Sequence, residues 1–147
     1  MNDFEAVEIL LAEDSDADAE LIIRALRKSN LVNKVVRLHD GVEALEFIFR
    51  LGAFSGRPAG QPRLIMLDLK MPRLGGIEVL RRLKADEQTR MIPVVILTSS
   101  AEEQDVVDSY KLGVNSYLVK PVDFAAFTSV ITQTGLYWAV MNRMPNS

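Results

Sequence analysis

Five short apolar runs recur along this chain, and each is followed by a segment whose apolar residues return at helical spacing. The runs are VEILLAE (7–13), VNKVVRLH (32–39), LIMLD (64–68), PVVILTS (93–99) and NSYLVK (115–120). They are strand-length and rich in Val, Ile and Leu, the composition of strands covered on both faces. Between them, Ala19, Ile22, Ile23 and Leu26 predict a helix over about 16–28, and Val42, Leu45, Ile48 and Phe49 a second. Gly75-Gly76 opens a third helix carrying Ile77, Leu80 and Leu83. AEEQDVVDSYKLG (101–113) reads as a fourth, closed by Gly113, and Pro121 starts the turn into the last. Strands and helices in strict alternation give parallel βαβ units with right-handed crossovers. The expected fold is therefore α/β: a five-stranded parallel sheet, doubly wound, in a single domain over 1–147. GAFSGRPAGQPR (52–63) is the long Gly/Pro-rich loop, and residues 136–147 are expected to extend the last helix or form a tail.

Other classes are disfavoured by composition. The net charge is −3 and the 17 basic residues form no run of five or more, which argues against nucleic-acid binding. There are no cysteines, so disulfides and thiolate metal sites are excluded and a cytoplasmic location fits. The acidic start MNDFEAVEIL is not a signal peptide, and no apolar stretch approaches the ~20 residues that span a bilayer.

Chemistry concentrates at one rim. In an open α/β sheet, ligands bind beyond the carboxyl ends of the strands. The first strand ends in Glu13-Asp14, the third in Asp68, the fourth in Thr98-Ser99-Ser100 and the fifth in Lys120-Pro121. Three crowded carboxylates raise one another's pKa unless a cation intervenes. A hard divalent ion such as Mg²⁺ suits an all-oxygen set. Asp68 can then act as a covalent nucleophile and accept a phosphoryl group, with Lys120 and the Thr98 hydroxyl meeting its oxygens. Asp16 and Asp18 read as ordinary acids of a helix N-terminus, and His39 as a surface imidazole.

Taken together, these motifs resemble the receiver domain of two-component response regulators over about residues 7–135. LLAEDS supplies the acidic pair Glu13 and Asp14. LIMLDLKMPRLGG supplies the phosphoacceptor Asp68, the turn proline Pro72 and the helix-opening Gly76, while VVILTSS supplies Thr98 and NSYLVKP supplies Tyr117, Lys120 and Pro121. The resemblance implies a flavodoxin-like receiver fold with strand order 2-1-3-4-5, and a Mg²⁺ (or Mn²⁺) site of Glu13, Asp14, Asp68 and the Lys70 carbonyl. It also implies a switch through Thr98 and Tyr117 that changes the surface of the fourth helix, fifth strand and fifth helix. Lys70 and Ser100 fall where the family tunes dephosphorylation. The expected function is a signalling switch phosphorylated by a sensor histidine kinase, catalysing only its own phosphorylation and dephosphorylation, without an output domain. More narrowly, EDSDADAEL, the insert before the third strand and Tyr137-Trp138 resemble regulators paired with bacterial phytochromes, some of which dimerise through C-terminal helices. Phe127, Ile131, Trp138 and Met141 form an apolar stripe on the last helix, expected over Asp123 to about Met141, and are expected to face a second copy or partner. Gly135 is a point where that helix could kink or end.

Three alternatives stand beside this reading. A phosphatase of haloacid dehalogenase type would use Asp68 but wants a second acid where Lys70 stands. An FMN module would want a phosphate loop where the chain reads EDSDAD. A receiver-like binding module would work without phosphorylation.

Overall fold

Strand β3, Leu64–Asp68, is buried at every position, and so is β4, Val94–Thr98. Only a strand with neighbours on both edges and helices on both faces has that profile. The computed structural model describes residues 8–28, 34–58, 60–99, 108 and 111–134. Beside β3 and β4 lie β1 (Glu8–Ala12), β2 (Lys34–Leu38) and β5 (Ser116–Val119). All pairings are parallel, as the alternation predicted, and the order is β2-β1-β3-β4-β5, as the family resemblance implied. Each predicted strand except the third runs a residue or two beyond the hydrogen-bonded ladder. Glu13 and Lys120 consequently stand just past the strands, in the turns at the rim.

Period-two alternation divides the apolar residues between two faces. Leu10, Ala12, Ile65, Leu67, Val94 and Ile96 face α2 (Gly41–Phe49) and α3 (Gly76–Ala85), which contribute Ala44, Leu45, Ile48, Val79, Leu80 and Leu83. On the other face, Ile9, Leu11, Leu64, Met66, Val95 and Leu97 meet Ile22 and Leu26 of α1 (Asp16–Lys28). The last helix, Phe124–Thr134, adds Phe127 to that second cluster. Burying each such side chain stabilises the fold by about 1.5–3 kcal/mol before entropy is counted. Phe127 is only 2% exposed, which corrects its place in the predicted partner stripe: it faces the sheet, because the groove between α1 and β5 takes the whole ring. Ile131 lies on this helix, but its side chain is outside the described residues, as are Ser100, Gly135, Tyr137, Trp138 and Met141. Of the predicted helix 101–113, Asp108 and residues 111–113 are described, and Gly113 has the positive φ of 97° expected of a closing glycine.

Local signals fix the helix starts nearest the rim. Ser15 Oγ accepts the Asp18 N–H at 3.2 Å and caps α1. Asp40 caps α2, its Oδ1 accepting the Glu43 N–H at 2.8 Å, while Glu43 accepts the His39 N–H at 2.7 Å. Gly76, the first residue of α3, is required by close approach: a Cβ there would sit 2.4 Å from the Asp68 carbonyl oxygen. The loop after α2 is ordered by Arg57, which lies 4.1 Å over the Phe47 ring and donates to the Phe47, Ile48 and Gly60 carbonyls.

Candidate functional site

The parallel ladder brings the ends of β1, β3 and β5 to one edge. Glu13 follows β1, and its N–H donates to the Leu38 carbonyl at 3.0 Å. Arg37 of β2 reaches across to donate Nε and Nη2 to the Glu13 carbonyl at 2.9 and 2.7 Å, and Nη1 to Asp16 at 2.8 Å. That double bond to one carbonyl fixes the turn bearing Glu13 and Asp14. Beyond β4, the Lys120 N–H donates to the Thr98 carbonyl at 2.8 Å, which sets the height of the lysine at the rim.

Lys120 Nζ then lies 3.1 Å from Asp68 Oδ2, 2.7 Å from Glu13 Oε1 and 3.1 Å from Asp18 Oδ2. The side chains of Glu13, Asp68 and Lys120 are 0, 8 and 10% exposed. Asp68 Oδ1 accepts the Lys70 N–H at 3.2 Å, and Glu13 Oε2 accepts the Ser15 N–H at 3.1 Å. Burial, above all, raises the Glu13 carboxyl to about 7, and nearby Asp68 adds to this against the pull of Lys120. Burial draws the Lys120 ammonium down, but Glu13, Asp68 and Asp18 outweigh it and hold it above the ordinary lysine value.

One buried oxygen has a single partner. Glu13 Oε1 is ion-paired to Lys120 at 2.7 Å and has no other hydrogen-bond partner among the described residues, which leaves accepting capacity unused. Carboxylate oxygens of Glu13, Asp14 and Asp68 lie within 4.8 Å of one another. An all-oxygen donor set, one member of which is buried with accepting capacity to spare, fits a hard divalent cation. Lys70 is adjacent, two residues past Asp68.

Thr98 and Tyr117, the two predicted switch residues, lie on β4 and β5. Thr98 is the last residue of β4 and buried, and Tyr117 is half-buried, paired with Ile96 on the α2–α3 face. His39 is exposed and lies beside Glu43, away from the acidic cluster. Sequence reasoning missed two participants. Asp18 was taken for a plain helix-terminal acid, and its partner Lys120 lies 102 positions away, beyond any local pattern. Arg37 carried no local clue either. A third link, Arg73 to Asp40 at 2.9 Å, ties the β3–α3 loop to the start of α2 and holds Arg73 at a φ of 65°.

Comparison with known proteins bears on this geometry. The profile described as the response regulator receiver domain matches residues 9–132. The "Probable methanogenesis regulatory protein FilR2" of Methanothrix harundinacea is 40% identical over 137 residues, covering 93% of this chain and 86% of its own. Among solved structures, bacteriophytochrome response regulator RtBRR is 49% identical with a TM-score of 0.84, over 97% of this chain and 86% of that one. The Mn²⁺-bound form of response regulator Rcp1 is 39% identical with a TM-score of 0.74, over 89% and 91%.

Proposed function

This chain belongs to the response regulator receiver family, and from that premise we propose that Asp68 accepts a phosphoryl group from the phosphohistidine of a sensor histidine kinase. The protein is a signalling component homologous to phytochrome response regulators and does not belong to an enzyme family in the usual sense. The observation that carries the proposal is the ammonium of Lys120 at 3.1 Å from an Asp68 oxygen, beside a cluster of three carboxylates whose oxygens lie within 4.8 Å of one another.

In the reaction, an Asp68 oxygen attacks phosphorus, forming a P–O bond. The P–N bond to the kinase histidine breaks, and the ring nitrogen leaves with the electron pair and is protonated from solvent. Glu13, Asp14, Asp68 and the Lys70 carbonyl would hold Mg²⁺ or Mn²⁺, which supplies positive charge for the phosphoryl oxygens when bound. Lys120 donates to one phosphoryl oxygen, and the Thr98 hydroxyl turns toward another. Burial of the Asp68 and Glu13 side chains limits water around the acyl phosphate. Movement of Thr98 opens space beside β4, and Tyr117 turns inward, altering the surface of the 101–113 segment, β5 and the last helix. Lys70, exposed at the mouth, and Ser100 set the rate of phosphate loss.

The kinase partner is proposed to be a bacterial phytochrome, on the strength of the likeness to RtBRR, with light as the stimulus and the cytoplasm as the setting. A homodimer through Ile131, Trp138 and Met141 is proposed as the signalling assembly. Light scattering of the whole chain with and without Trp138→Ala tests that, and an unchanged mass would reject it. Incubation with Mg²⁺ and acetyl phosphate tests the central claim. It should add one base-labile phosphoryl group by mass, lost in Asp68→Asn and with chelator. Sustained turnover of phosphate monoesters would instead indicate a phosphatase.

A further inference from the structure

The ammonium of Lys120 has three N–H bonds, and three carboxylates stand around it. Two of them, Glu13 and Asp68, belong to the acidic cluster that suits a cation. The third does not: Asp18 comes from the first turn of α1, its side chain is 37% exposed, and its Oδ2 accepts a hydrogen bond from Nζ at 3.1 Å. Of the three, Glu13 is nearest at 2.7 Å, and Asp68 and Asp18 each accept from Nζ at 3.1 Å.

We propose that Asp18 is a positioning residue that aims the Lys120 ammonium at Asp68 and keeps it aimed while the cluster carboxylates turn to a cation. This rests on the reading of Asp68 as a phosphoryl acceptor. Lysine is a point charge on a flexible four-carbon stem, so a contact with Asp68 alone leaves the ammonium several rotamers. A divalent cation competes with Lys120 for the oxygens of Glu13 and Asp68, and an anchor outside the cluster is then what limits the stem. The Asp18 backbone is held in place, its own N–H donating to the Ser15 cap. Its charge alone would hinder an anionic phosphodonor entering a pocket already rich in carboxylates. What the pocket gains from Asp18 is therefore the acceptor oxygen.

Three variants separate oxygen from charge. Asp18→Asn keeps an acceptor and drops the charge, and Asp18→Ala drops both. Glu20→Ala removes a charge from the same helix at an exposed site paired with Arg24, not Lys120. The Ser15 cap uses the Asp18 backbone, so α1 starts the same way in all of them. Two quantities are measured: the rate of phosphorylation by acetyl phosphate at saturating Mg²⁺, and the ¹H–¹⁵N signal of the Lys120 ammonium in metal-free protein. Asp18→Asn should be at least as fast as wild type, with Asp18→Ala about three- to fivefold slower than Asp18→Asn, the scale of one net hydrogen bond. Glu20→Ala should match wild type. The ammonium signal should stay sharp in Asp18→Asn and broaden in Asp18→Ala. Equal rates for the two Asp18 variants, with an unaltered ammonium signal, would overturn the positioning role. A wild-type protein that takes up no phosphoryl group would reject the acceptor reading instead, and the ammonium signal would still decide the role of Asp18.

Discussion

Gly76→Ala is the substitution that most directly links backbone packing to the chemistry at Asp68. A Cβ at this position would lie 2.4 Å from the Asp68 carbonyl oxygen, 3.1 Å from its carbon and 3.1 Å from the Leu69 Cα. Real Cβ contacts essentially never fall below 3.0 Å, so the oxygen must retreat by at least 0.6 Å, the difference between the two distances. All three obstructing atoms are main chain, so no side chain can swing aside. Over-packing of this kind costs about 1–3 kcal/mol, and replacing a helical glycine by alanine returns up to about 1 kcal/mol. A net loss of about 1–2 kcal/mol is expected in urea unfolding. The functional effect should be larger than the stability change implies, because the displaced carbonyl belongs to the acceptor itself. Misplacing a reacting group by about 1 Å costs on the order of a hundredfold, so 0.6 Å should slow phosphorylation on the order of tenfold. The assay is acetyl phosphate uptake by mass under conditions where the variant is fully folded. Gly56→Ala is the control, since nothing lies within 4 Å of its added carbon. Wild-type stability together with a wild-type rate in Gly76→Ala would refute the claim that this contact holds the acceptor in place.

Three further outcomes are expected. Arg37→Ala frees the Glu13 carbonyl from two hydrogen bonds and should weaken Mg²⁺ binding by about tenfold in calorimetry, the usual scale for a residue that orients a ligand. Phe127→Ala should cost about 3–5 kcal/mol in urea, because the ring is core; a loss under about 1 kcal/mol would return Phe127 to the surface. Burial would raise the Asp40 carboxyl, but hydrogen bonds from Arg73 and the Glu43 N–H hold it below its ordinary 3.8. A depressed folded-state pKa stabilises above the unfolded value and is lost as pH falls through the folded one. Asp40→Asn should therefore unfold at lower urea than wild type at neutral pH, with the gap closing below 3.8.

The architecture was legible because it depends on local patterns. LIMLD is apolar at consecutive positions, which only a strand covered on both faces tolerates, and β3 proved buried throughout. The rim residues were legible because strand ends are marked by the change from apolar to charged, which named Glu13, Asp14, Asp68 and Lys120 before any coordinates. Asp18 was not, since its partner Lys120 is 102 positions away and no local pattern carries that distance. Arg37 reads as a polar interruption in VVRLH, and only the register of β1 on β2, pairing it with Leu11, shows which carbonyl it can reach. Phe127 failed for a different reason. A stripe on a helix shows that one face is apolar, not whether a sheet or another molecule covers it. The Arg57 contacts were equally hidden, because a Gly/Pro-rich stretch looks the same whether pinned or loose.

Among the described residues, the ammonium that meets the clustered acids is Lys120, just past β5, the last of the five strands in the chain. During synthesis the acids at 13, 14, 18 and 68 all leave the ribosome well before Lys120, and they gather without an ammonium until β5 pairs with β4. Carboxylates crowded at one edge repel one another, and a cation or the arriving amine relieves that repulsion.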